Sequence, residues 1–144
     1  MSIPKLVGLL ETAIYVDDMT RACAFYREVM AMRAMLETPR LTAFDAGSGG
    51  VLLIFARGQS LDDMPGPEGV IPGHDGAGPL HLAFGIRDED VASWRARLET
   101  AGVAIRSEVA WPRGGRSLYF DDPDGHVVEL ATRGLWPNDR DRPA

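Results

Sequence analysis

Ser117-Leu118-Tyr119-Phe120-Asp121-Asp122-Pro123-Asp124-Gly125-His126-Val127-Val128-Glu129-Leu130-Ala131-Thr132 reads as strand, tight turn and strand. Asp-Pro-Asp-Gly supplies the turn: proline presets one backbone angle, aspartate bonds its own backbone, and glycine allows a positive φ. Aromatic and β-branched residues flank the turn on both sides. Side chains alternate along a strand, so Val127, Glu129 and Ala131 share one face while Val128 and Leu130 share the other. Glu129 is the anomaly. A carboxylate inside an apolar strand is costly unless it is paired, hydrogen-bonded, metal-bound or on an exposed face.

The rest of the chain reads as two copies of one unit. In the first, Leu9 to Val16 is a strand and Asp17 and Asp18 are N-cap candidates. Met19 to Met32 is a helix with Ala22, Phe25, Tyr26 and Val29 on one face. Strands follow at 32–36, 41–46 and 51–56. In the second, Leu80 to Ile86 is a strand and Asp88 to Ala101 a helix closed by Gly102. Val103 to Trp111 is the next strand, and the opening hairpin completes the unit. Module one is expected over about 8–57 and module two over about 80–133 of a single domain. Between them, 58–79 is rich in Gly, Pro and Asp and is expected to be a linker and lid. The tail, 134–144, is expected to fray past Trp136.

The repeat aligns three polar interruptions. Glu11 falls opposite His81, and Ile54 is aligned with Glu129. Two carboxylates and an imidazole suit one divalent ion of the Mn, Fe, Co, Ni or Zn type. Ile54 cannot ligate, which leaves coordination positions open for water and substrate. Ala13 and Tyr15 share the face of Glu11, and Ser117 and Tyr119 share parity beside Glu129. Glu11 or Glu129 is a general-base candidate. Trp111 either stacks on a flat substrate or anchors the sheet. Arg113 and Arg116 flank a glycine pair, with Arg116 a candidate for holding an anionic substrate. His74 is expected in solvent and His126 in the turn, and Cys23 reads as a small buried hydrophobe.

Composition narrows the partners. The chain has 144 residues, a net charge of −6 and one cysteine. With no basic stripe, nucleic acid and anionic membranes are not expected partners. No apolar run reaches membrane-spanning length. The first residues lack the apolar core of a signal peptide, so a cytoplasmic location is expected.

Leu9 to Tyr26 with Ala24-Phe25-Tyr26-Arg27, Leu80 to Ile86, and Leu118 to Glu129 together resemble the vicinal oxygen chelate superfamily. That superfamily includes glyoxalase I, fosfomycin-resistance enzymes, extradiol dioxygenases and bleomycin-resistance proteins. The resemblance implies an α+β fold of two tandem βαβββ modules whose sheets curl into an incomplete β-barrel cleft. It implies a metal site at Glu11, His81 and Glu129, with Glu11 where histidine is usual. It places Ser117 and Tyr119 near substrate oxygens, which makes Tyr119 a catalytic candidate. It also implies a homodimer, in which the modules pair either within one chain or between chains; in the second case a site takes Glu11 from one chain and His81 with Glu129 from the other, and the sequence does not decide between the two. Ala13 stands where fosfomycin enzymes carry a threonine, and their phosphonate-binding lysine has no clear counterpart, so fosfomycin is not the expected substrate.

The leading expectation is therefore a divalent-metal-dependent enzyme acting on a small oxygen-rich molecule, with lyase, isomerase or dioxygenase chemistry. The alternative is a metal-free protein that sequesters a small molecule, as bleomycin-resistance members do.

Overall fold

The structure, a computed structural model, describes residues 1–139. Among the described residues, ten strands and two α-helices follow in chain order. Module one comprises β1 (Glu11–Val16), α1 (Met19–Ala24), β2 (Ala34–Glu37), β3 (Leu41–Gly47) and β4 (Gly50–Ala56). The Asp18 carboxylate caps α1 by accepting from the Arg21 amide. The helix continues over Phe25–Val29 with wider π-type turns, which carry Phe25 and Tyr26 into the core. Module two comprises β7 (His81–Gly85), α2 (Val91–Thr100), β8 (Ile105–Ala110), β9 (Arg116–Asp121) and β10 (Val127–Ala131). Gly102 closes α2 at φ +71°, the left-handed conformation that a helix end favours. The linker is not plain loop: it folds a short hairpin from β5 (Met64–Gly66) and β6 (Gly69–Ile71).

Each module forms its own four-stranded sheet, in the orders β1-β4-β3-β2 and β7-β10-β9-β8. In both, the first and last strands pair in parallel. This confirms the α+β reading and the duplicated βαβββ unit. Both sheets are open, and neither closes into a barrel.

The two modules share one core. Ile14, Leu52 and Ile54 from module one pack in the same apolar cluster as Phe120, Val128 and Leu130 from module two. Polar bonds pin the junction. The Tyr26 hydroxyl donates to Asp122 at 2.7 Å, and His126 Nε2 donates to the Tyr15 carbonyl at 2.8 Å. His126 Nδ1 accepts from the Leu80 amide. The turn histidine is thus a buried strut between modules, because both ring nitrogens find backbone partners there. Cys23 is buried, as expected. No helix among the described residues is long and apolar enough to cross a membrane.

The tail differs from expectation. The Asp139 carboxylate accepts from the backbone amides of Gly134, Leu135 and Trp136, which folds 134–139 into a turn instead of a frayed end. Residues 140–144 of the expected tail lie outside the described residues.

Candidate metal centre

Strand parity decides which side chains face away from the shared core. On β7 and β10 these are His81, Ala83, Val127 and Glu129; on β9 they are Ser117 and Tyr119, the latter directly opposite Glu129. The Glu129 carboxylate is 5% exposed, so its charge needs local partners. Ser117 Oγ donates to Oε1 at 2.5 Å and the Tyr119 hydroxyl donates to the same oxygen at 2.9 Å. Ser117 in turn accepts from Trp111 Nε1 at 2.8 Å. Trp111 therefore anchors a chain of hydrogen bonds that orients Glu129. The Tyr119 ring lies stacked with the His81 ring at 6.3 Å. Burial and the adjacent Glu129 push the Tyr119 hydroxyl pKa up, so it remains a donor.

The second oxygen of Glu129 faces His81. His81 Nε2 lies 3.3 Å from Oε2, and His81 Nδ1 lies 2.9 Å from the Val127 carbonyl. A carbonyl can only accept, so Nδ1 carries a proton. A neutral imidazole then presents the lone pair of Nε2 to a carboxylate oxygen. Two acceptors at this distance repel unless a cation lies between them, either a proton on Nε2 or a metal ion. An imidazole that donates one nitrogen to a backbone carbonyl and aims the other at a shared point has the arrangement of a metal-ligating histidine. The donor set therefore fits a divalent cation.

Glu11, Ala13 and Tyr15 share the outward face of β1, as their alternation requires. Glu11 is exposed, and it does not join His81 and Glu129: among the described residues no three carboxylate, imidazole or thiol groups converge on one point. The chain supplies two of the three expected ligands at one place and the third on the other module.

Two expected residues sit elsewhere. Ile54 is not the counterpart of Glu129. Glu11 pairs with Val51 as His81 pairs with Val127, so the residue equivalent to Glu129 is Leu53, which pairs with Ala13 as Glu129 pairs with Ala83. Ile54 is fully buried in the core. A one-residue slip in aligning two strands exchanges their faces. Arg116 also lies on the wrong side. It shares parity with buried Leu118 and Phe120, and its guanidinium reaches the Asp88 carbonyl at 3.5 Å.

Sequence reasoning missed His74. Its Nδ1 lies 2.8 Å from the Tyr15 hydroxyl, and its ring stands edge-on to Phe55 at 4.5 Å. Phe55 shares the outward face of module one with Tyr15 and stacks on it at 5.8 Å. The glycines of 73–78 allow close approach, which was the available signal. A Cβ at Gly76 would stand 2.5 Å from the Tyr15 ring, so the linker backbone rests directly on that ring.

Comparison with known proteins bears on the family and the fold. The profile of the Glyoxalase/Bleomycin resistance protein/Dioxygenase superfamily matches residues 8–130. Metallothiol transferase FosB of Bacillus licheniformis is 29% identical over 133 residues, 92% of this chain and 79% of that protein. Fosfomycin resistance protein FosX of Listeria monocytogenes is 27% identical over 130 residues, 85% of this chain and 87% of that protein. A crystal structure of lactoylglutathione lyase from Agrobacterium tumefaciens superposes with a TM-score of 0.84 at 32% identity, covering 93% of this chain and 99% of that one.

Proposed function

The chain belongs to the Glyoxalase/Bleomycin resistance protein/Dioxygenase superfamily, and from that premise we propose that it is a divalent-metal-dependent enzyme acting on a small molecule with adjacent oxygens. The observation that carries this reading is the His81–Glu129 pair: His81 Nε2 and a Glu129 oxygen face each other at 3.3 Å, an approach that calls for a cation between them, while His81 Nδ1 is committed to a backbone carbonyl. His81 and Glu129 hold the ion, and Glu11 of a second copy completes the site in a homodimer. The exposed Leu9 and Leu10 beside Glu11, 86% and 69% accessible, favour a partner on that face.

A metal held by His81 and Glu129 would supply Lewis-acid polarisation of a substrate oxygen. Ser117 and Tyr119 fix the ligating carboxylate. The Tyr119 O–H is committed to Glu129, and its oxygen lone pair is left to accept from a substrate hydroxyl. Ala13 and Leu53, beside Glu11 on the outward face of module one, would bring an apolar floor to the site together with Glu11 of the second copy. Similarity to a metallothiol transferase and to a lactoylglutathione lyase favours addition or removal of a thiol over dioxygenase chemistry.

The test is metal content by mass spectrometry after loading with Mn, Fe, Co, Ni and Zn in turn. About one ion per chain is expected, lost in Glu129→Gln and in Glu11→Gln. Mixing these two variants tests the shared site, since a hybrid dimer regains one intact site only if the ligands come from different chains. A chain that stays metal-free throughout, yet binds a small molecule tightly without turnover, would replace this reading with sequestration.

A further inference from the structure

The linker lines an open cavity of about 420 Å³ between its own hairpin and the end of module one. Arg40, Ser60, Asp62, Asp63 and His74 supply its polar lining. The cavity is built. The Arg40 guanidinium lies over the Phe55 ring at 5.7 Å and donates through Nη1 to buried Ser60 at 2.7 Å. The His74 backbone amide donates to the Ser60 carbonyl, and the Gly73 amide donates to the Asp63 carboxylate. A Cβ at Gly73 would fall 2.1 Å from the Leu61 carbonyl oxygen, so the two arms of the linker are pressed together.

Two features of this cavity stand out. Arg40 is half-buried and rigidly held, yet among the described residues it pairs with no carboxylate. A guanidinium has five N–H donors, and most of those on Arg40 are unused. His74 engages Tyr15 through Nδ1, and its Nε2 has no partner among the described residues. Asp62 and Asp63 line the same cavity without forming an ion pair to Arg40. Opposite charges are thus held apart around one space. A simple anion is repelled by the two aspartates, and a simple cation is repelled by Arg40. A molecule carrying both charges satisfies both sets.

We propose that this cavity binds a short peptide-like zwitterion, its carboxylate on Arg40 and His74 and its ammonium group toward Asp62 and Asp63. The volume exceeds the need of a single amino acid and suits two or three residues. The site is separate from the metal centre: Tyr15 lies four strand residues from Glu11, roughly 13 Å along β1. The inference does not depend on a metal.

The experiment uses metal-stripped full-length protein titrated with L-alanyl-L-alanine, its N-acetyl derivative and its C-terminal amide. Amide chemical shifts of 58–76 are followed by NMR. Saturable binding of the free dipeptide is expected, at least about 10-fold tighter than either blocked form. Asp62 is exposed and makes no hydrogen bond or ion pair among the described residues, so Asp62→Asn leaves the fold intact. It is expected to erase most of the preference for the free over the acetylated dipeptide, and Arg40→Gln most of the preference over the amide. Equal binding of all three ligands, binding that Asp62→Asn and Arg40→Gln both leave unchanged, or no saturable shift would overturn the proposal. The metal titration is unaffected by any of these outcomes, so the two readings fail independently.

Discussion

The two modules share one backbone plan and differ in what that plan displays. On the outward face of module two, Ser117, Tyr119, Glu129 and His81 form a connected polar group in which every bond converges on one carboxylate. The same places in module one hold Leu41, Ala43, Leu53 and Glu11. Three of the four are apolar, and the fourth is an exposed carboxylate with no ligand beside it. The pairing ladders are alike, so the backbone does not account for the difference. A duplicated scaffold can keep one half as the wall that holds a charge and use the other to provide a floor and a single reaching side chain. The linker adds to the asymmetry by covering Tyr15 and Phe55 in module one, where it rests on both rings.

The sharpest way to break this comparison is to place a carboxylate on either side of β4. Ile54→Glu puts an unpaired charge into the shared core and is expected to cost at least about 3–5 kcal/mol, enough to unfold a marginal domain. Leu53→Glu, one residue away, is expected to fold and to change stability by less than about 1 kcal/mol. Urea unfolding of the two variants decides between the alignments. If Leu53→Glu proved the more damaging, the assigned equivalence of the modules would be wrong.

A smaller effect tests the polar group itself. Ser117→Ala removes one donor from Glu129 and leaves the Trp111 indole N–H unpaired. A loss of about 1–3 kcal/mol is expected in denaturant unfolding. Metal affinity in the loaded protein should fall roughly 10- to 100-fold, because the residue orients a ligand without being one. Ala43→Ser, at Tyr119's equivalent place in module one, has no carboxylate to serve and should leave metal affinity unchanged.

The smallest expected signal is spectroscopic. All three tyrosines have hydroxyls shifted upward, chiefly by burial, with Asp75 acting on Tyr15, Asp122 on Tyr26 and Glu129 on Tyr119. Each neutral hydroxyl is favoured in the fold. The associated stability is present below the ordinary value of about 10 and is lost as pH rises through the raised folded values. Phenolate absorbance is therefore expected to lag behind that of free tyrosine and to appear together with loss of near-ultraviolet dichroism. A tyrosine titrating at the ordinary value while the fold persists would show that one of these hydroxyls is open to solvent.

Much of this was legible in the residues. Asp-Pro-Asp-Gly fixed the β9–β10 turn, apolar alternation placed the strands, and Gly102 ended α2. Polar interruptions in apolar strands pointed to Glu11, His81 and Glu129 because burial penalises an unpaired charge so heavily. Parity within a strand also grouped Ser117 and Tyr119 with Glu129, since alternation is a local property of extended backbone. Its limit is that it names two faces without saying which one is buried; the same parity sets Arg116 apart from Ser117 and Tyr119, whereas its candidacy as an anion holder rested on the neighbouring glycine turn.

What the tertiary structure alone decided concerns relations between distant segments. Whether Leu53 or Ile54 matches Glu129 depends on how β4 registers against β1, and a ladder between strands far apart in sequence is set by the packed core. His126 and His74 owe their roles to partners 111 and 59 residues away, which no local pattern announces. The separation of Glu11 from the His81–Glu129 pair follows from the way the two modules share a core, which leaves their outward faces unmatched within one chain. Local chemistry determined which residues are unusual; long-range packing determined which of them meet.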